Sequence, residues 1–195
     1  MAEREELVAL IGDPASFLKH DDAVLRRMAT TALSADASNE AFEDVIRLLS
    51  DEDSAVRAAA AEKLGVCGHR SIEHLASAEA DREPKVREAV ATAYGELRQP
   101  SVIPWLVEVG KSDPDRTVKE AAVAALGAIG EDAAIDPLLM FITDGPPQVR
   151  RRAIAAITVF DDPRIEPAIQ RAALDRNSGV REAAEMVVGK QLSDG

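Results

Sequence analysis

The side chains in this 195-residue chain best suited to hold a metal or attack a substrate are His20, His69, His74 and the single cysteine, Cys67. Two histidines reach one metal from one helix when they are three or four residues apart. His69 and His74 are five apart, so the expectation is surface histidines at a turn and no metal site. Cys67-Gly68-His69 places a thiol near a base, the raw material of a thiolate nucleophile. No third group follows to orient the imidazole, and a small residue at a helix end accounts for Cys67 better. One cysteine also excludes an intramolecular disulfide and a Cys-based zinc site. Arg150-Arg151-Arg152 is the one basic run, and 23 basic against 35 acidic residues leave a net charge of −12. Such a chain repels a phosphate backbone unless its cations share a face. No two carboxylates have a spacing that argues for acid–base work over capping or solvation. Neither catalytic residues nor a cofactor are expected.

The elements that position these residues emerge from self-similarity. A phrase recurs around Arg26, Arg57, Arg87, Lys119, Arg150 and Arg181, at spacings of 31, 30, 32, 31 and 31 residues. An aliphatic residue precedes each: Leu25, Val56, Val86, Val118, Val149 and Val180. Three residues after come Ala29, Ala60, Val90, Ala122, Ala153 and Ala184; seven after come Leu33, Leu64, Tyr94, Leu126, Ile157 and Val188. Offsets of −1, +3 and +7 share one face of a helix, so each phrase predicts a helix with a buried stripe. Gly65, Gly95, Gly127 and Gly189 follow the +7 residue and are expected to end these helices in a left-handed turn. Six before the basic residue stands His20, Asp51, Asp81, Asp113, Asp144 or Asp175, where a carboxylate can accept backbone N–H groups or cap the helix.

A second apolar segment precedes each phrase. Phe42–Leu49, Ile72–Leu75, Val102–Val109, Ile135–Ile142 and Ile165–Ala172 all have helical spacing, and Pro104, Pro137 and Pro167 fall in first turns. Each unit therefore reads as helix, tight turn, helix. The 35 alanines let helices approach closely, and the low aromatic content of 3% disfavours a β-sandwich. One helix pair cannot bury its own apolar face; a stack can. The expectation is one all-α domain over 1–195: an irregular capping unit at about 1–35, interrupted at Asp13-Pro14, then units at 36–66, 67–97, 98–129, 130–160 and 161–191. The acidic opening from Met1 to Glu6 is unlike a targeting signal and no long apolar run follows, so a soluble, cytoplasmic protein is expected.

The stretches Asp51–Gly65 and Asp113–Gly127 resemble HEAT repeats, in particular the short class found in phycobilisome lyases, and the resemblance runs over about residues 15–190. It implies a right-handed α-solenoid of about six two-helix repeats. It also implies a ladder of acidic and basic residues tying neighbouring repeats: Asp51, Asp81, Asp113, Asp144 and Asp175 with Arg57, Arg87, Lys119, Arg150 and Arg181. Lys119 lacks the guanidinium fork, and His20 stands where an Asp belongs. HEAT-like deoxyhypusine hydroxylases hold iron through His-Glu pairs; no His-Glu dipeptide occurs here.

In this fold the second helix of each pair lines a groove, through the positions at +1, +2, +5 and +9. The partner-binding candidates are Arg27, Met28 and Thr31 in the first unit, Glu62 in the second, and Glu88, Thr92 and Glu96 in the third. Glu120 follows in the fourth, Arg151 and Arg152 in the fifth, and Glu182 and Met186 in the last. The +1 residues include three acids among six, which argues against a nucleic-acid groove. Repeat grooves bind extended segments or helices. The leading expectation is a non-enzymatic scaffold for another protein, present as a monomer or weak homodimer, with no nucleic acid and no membrane. The alternative is a bilin lyase-like subunit or another HEAT-like enzyme subunit. Tyr94 is expected in the core, and Trp105 either there or at an interface.

Overall fold

A computed structural model describes residues 2–193, with side chains from Glu5 to Gly189. Among the described residues every regular element is an α-helix or a 3-10 turn. The chain divides into two compact units, Met1–Ala93 and Tyr94–Gly195.

In the first unit, α1 (Ala2–Gly12) and a 3-10 turn (Pro14–Phe17) precede α2 (Ala23–Ala32). The break falls at Asp13-Pro14, where the proline cannot continue the helix and instead opens the turn. α3 (Asn39–Leu48) pairs with α4 (Ser54–Val66), and α4 lies against α2. The third first-helix is broken: 3-10 turns at His69–Ser71 and Ala76–Ala78 flank α5 (Ile72–Leu75), ahead of α6 (Pro84–Leu97), in which the unit boundary falls. The second unit holds α7 (Ile103–Ser112) with α8 (Arg116–Ile129), α9 (Ile135–Asp144) with α10 (Pro147–Ile157), and α11 (Ile165–Ala172) with α12 (Ser178–Ser193). There α10 packs on α8 and α12 on α10, while α11 packs on α9: second helices form one layer and first helices the other.

The stripe read from the sequence is the core. The six −1 residues and the six +3 residues are all buried, as are five of the six at +7; Val188 in the last helix is half-buried. Tyr94 is buried and meets half-buried Trp105 edge-on, ring centroids 5.3 Å apart.

The glycines after the +7 position do something other than stop helices. Gly65, Gly95 and Gly127 are buried inside α4, α6 and α8. A Cβ on Gly65 would lie 2.8 Å from the Ala93 Cα, one on Gly95 3.0 Å from the Ala125 Cα, and one on Gly127 2.8 Å from the Ala156 carbonyl oxygen. They are contact notches between successive second helices. The left-handed turns belong to Gly68 and Gly130, with φ of 86° and 73°.

Candidate functional site

The turn between the two helices of each pair is built around one guanidinium. In the first unit, Arg26 Nε and Nη2 donate to the two carboxylate oxygens of Asp51, both at 2.8 Å, and its Nη1 donates to the carbonyls of His20 and Asp21. Arg57 repeats this with Asp81, at 2.7 and 2.9 Å, and with the carbonyls of Asp51 and Glu52. In the second unit Arg150 grips Asp175 at 2.8 and 2.7 Å and the Gly145 carbonyl at 2.7 Å. Each fork thus binds its own turn and the acid of the following repeat, with planar two-point geometry. Arg26 was absent from the sequence-based ladder because its own unit lacks the acid; it reaches forward to Asp51. Hydrogen bonding to Arg57 holds the Asp81 carboxyl below the usual range and raises the Arg57 guanidinium; Arg150 lowers Asp175 in the same way. Arg87 and Arg181 each donate Nη1 to their own turn carbonyl, at Asp81 and Asp175.

The carboxylate of each turn also accepts the backbone N–H two residues on: Asp53 to Asp51, Glu83 to Asp81, Asp115 to Asp113 and Asn177 to Asp175. His20 performs this part of the task with Nδ1, accepting the Asp22 N–H at 3.0 Å. Capping of the second helix falls to the next polar residue, not to the ladder acid. Asp22 accepts from Val24, Asp53 from Ala55 and Val56, and Asp115 from Thr117. The Asp-x-Asp spacing was the available signal for these caps.

One rung fails on both sides. Lys119 Nζ donates to the Lys111 carbonyl at 2.9 Å, and Asp144 is exposed as the last residue of α9. The residue two beyond Asp144 is Pro146, which has no N–H to donate, so the acid turn cannot form. Asp144 and Lys119 are therefore not a rung, contrary to the ladder read from the resemblance. A surface pair the sequence did not suggest lies nearby: Arg164 bridges Asp162 and Asp136, and drives the Asp162 carboxyl down to about 2.

The candidate groove residues are accessible on the second helices. Arg27, Thr31, Glu62, Thr92, Glu96, Arg151, Arg152, Glu182 and Met186 are exposed; Met28, Glu88 and Glu120 are half-buried. In the second unit α8, α10 and α12 pack in sequence, each with outward residues exposed. Arg151, Arg152 and Ala155 are exposed on α10, with exposed Val159 just beyond its end, and Met186 is 67% exposed on α12. On α8, Glu120 Oε1 is buried without a hydrogen bond, although Arg116 Nε lies 3.3 Å away. These three helices thus carry a carboxylate oxygen that is ion-paired but not hydrogen-bonded, two exposed guanidiniums and apolar ground.

The other candidates do not assemble. Burial pushes the Cys67 thiol up, away from the thiolate form. His69 is exposed, while His74 packs edge-on against Phe42, whose ring also carries the Arg70 guanidinium 3.7 Å from its centroid. Among the described residues no three His, Cys, Asp or Glu side chains are placed to hold a metal ion, and no helix is long and apolar enough to cross a membrane.

Comparison with known proteins gives these features relatives. The bilin biosynthesis protein PecE of Nostoc sp. (strain PCC 7120) is 31% identical over 140 residues, covering 66% of this chain and 55% of PecE. A deoxyhypusine hydroxylase of Candida albicans is 31% identical over 88 residues, covering 45% of this chain and 28% of the enzyme. The chain spans about half the length of the PecE proteins it matches. Among solved structures, the complex of CpcE and CpcF of phycocyanin lyase from Nostoc sp. PCC7120 superposes with a TM-score of 0.64 at 23% identity, covering 88% of this chain and 73% of that one. The expectation that the chain is not an enzyme is overturned by these relatives, which serve bilin biosynthesis and a lyase complex. The model for HEAT repeats matches residues 13–78, 72–148 and 135–193, and the chain belongs to the HEAT-repeat family, as an α-solenoid protein.

Proposed function

We propose that the chain is a subunit of a bilin lyase-type enzyme, which works with a second protein and holds a bilin on the second-helix surface of its second unit. The observation that carries this reading is the 31% identity to PecE across 140 residues, a stretch longer than four repeats. The chemistry of the surface fits. A linear tetrapyrrole presents two carboxylates, a row of N–H donors and a flat apolar body. Arg151 and Arg152 offer two guanidiniums to the carboxylates. The Glu120 carboxylate, ion-paired with Arg116 at 3.3 Å but with one oxygen making no hydrogen bond, offers an acceptor to a pyrrole N–H. Ala155, Val159 and Met186 offer apolar contact without bulk. Packed helices are spaced by about 8–10 Å, so residues on α8, α10 and α12 span a tetrapyrrole.

That the chain acts with another protein is supported by the fold, since stacked repeats expose extended surfaces for partners, and by the CpcE–CpcF complex. The test is an absorbance titration of the purified chain with biliverdin. A saturable red shift of the long-wavelength band is expected, because fixing an extended tetrapyrrole changes its spectrum. An unchanged spectrum at millimolar protein rejects the reading.

A further inference from the structure

The first unit leaves one apolar strip uncovered. On α1, Leu10 turns inward and is 2% exposed, whereas Leu7, Val8 and Ile11 are 40%, 64% and 75% exposed. Spacings of three and four place Ile11 beside both of the others on one helical face. The chain handles outward positions differently elsewhere. At +4 of the second helices stand Thr30, Ala61, Ala91, Val123 and Ile154, all buried; in α12 the same position is Glu185, which is exposed and faces water as a carboxylate. Among the side chains of α1 that are described, Leu7, Val8 and Ile11 present no such carboxylate to water.

The border of the strip is acidic. Glu5, Glu6, Asp13, Asp21 and Asp22 are all exposed, and Glu6 lies 3.5 Å from His20. Two cations of this unit are already paired, Lys19 with Asp44 and Arg26 with Asp51. We infer that α1 docks an amphipathic helix of a partner chain, whose Leu/Ile/Val stripe covers Leu7, Val8 and Ile11 and whose flanking Lys and Arg residues meet these carboxylates. Helix-on-helix docking read through i, i+3 and i+4 anchors has this form, and charge complementarity at the rim sets the choice of partner. A second copy is a poor occupant, because it brings the same carboxylates to the same border and carries a net charge of −12. The inference rests on the reading that the chain works as a subunit, but on a surface separate from Arg151 and Arg152.

The test uses the isotope-labelled full chain and a synthetic amphipathic peptide of about 18 residues with a leucine stripe and lysine flanks, alongside a matched peptide with glutamate flanks. The lysine peptide is expected to shift amide resonances of α1 and of residues 19–22 saturably, and to weaken with salt. The double variant Val8→Ser/Ile11→Ser is expected to lose about tenfold in affinity with its circular dichroism unchanged, both side chains being exposed. Equal binding of the glutamate peptide, shifts confined to other helices, or α1-dependent self-association in sedimentation equilibrium each overturn the inference. Peptide binding without a biliverdin shift leaves this surface standing and removes the bilin reading; the reverse result does the opposite.

Discussion

Two glycines at one repeat position should respond with opposite sign to the same substitution. Gly127 lies inside α8 and Gly189 inside α12, each eight residues after the basic residue of its unit. In a helix interior, replacing glycine by alanine gains about 1 kcal/mol from backbone entropy. At Gly189 a Cβ meets nothing within 4 Å, so Gly189→Ala should deliver that gain undiminished. At Gly127 the Cβ would stand 2.8 Å from both the Ala156 Cβ and the Ala156 carbonyl oxygen, and 2.9 Å from its Cα. Two of these three atoms are backbone, so relief requires α10 to shift. Overpacking of this kind costs about 1–3 kcal/mol, and with backbone involved the upper end applies, leaving Gly127→Ala destabilised by about 2 kcal/mol after the propensity gain. At about 2–4 °C per kcal/mol for a chain of this size, thermal unfolding followed at 222 nm should show Gly189→Ala melting a few degrees higher and Gly127→Ala about 4–8 °C lower. Equal shifts of the same sign would refute the notch geometry, and with it the close approach of successive second helices.

Other outcomes follow from the turns and caps. Arg57→Ala strands Asp81 and two carbonyls, and urea unfolding should show a loss of about 3–5 kcal/mol; Arg181→Ala, whose fork grips only the Asp175 carbonyl among the described residues, should cost about 1 kcal/mol. Asp53→Ala removes a cap accepting two N–H groups and should cost about 1 kcal/mol in the same assay. Asp81 and Asp175 have folded-state pKa values below their unfolded ones, so their contribution is present above about pH 4 and is lost as pH falls through the lowered values. Stability should therefore be level above about pH 5 and decline below pH 4, and the decline should be shallower in Arg57→Ala, where Asp81 has lost its partner.

The helices were legible because period and burial agree: the −1 and +3 positions form the core without exception. The glycines were misread because adjacency to a +7 residue suits both a helix end and a close contact, and sequence alone does not say that Ala93 or Ala156 waits opposite. The ladder was legible as chemistry but not as register. Arg26 bonds forward to Asp51, a choice made by stacking. Pro146 could have excluded Asp144 in advance, since an acid turn needs an N–H at that place. Most of the surface residues were legible as exposed positions on second helices, but Met28, Glu88 and Glu120 are half-buried. What their composition did not show was Glu120, whose missing hydrogen bond depends on how α8 packs. Nor did composition reveal that a mixed surface with no catalytic motif has bilin biosynthesis proteins among its relatives; that came from 31% identity over 140 residues, covering 66% of this chain.

The assignment of ligand chemistry to the second unit is tested most directly by the ratio of biliverdin dissociation constants between the wild-type chain and Arg151→Ala/Arg152→Ala. Both guanidiniums are exposed and support no rung, so folding should be unchanged. Each exposed charge-assisted contact is worth about 1 kcal/mol, which predicts a ratio of about 10–30. A ratio near one, with the variant fully folded, would contradict the placement of the bilin on this surface.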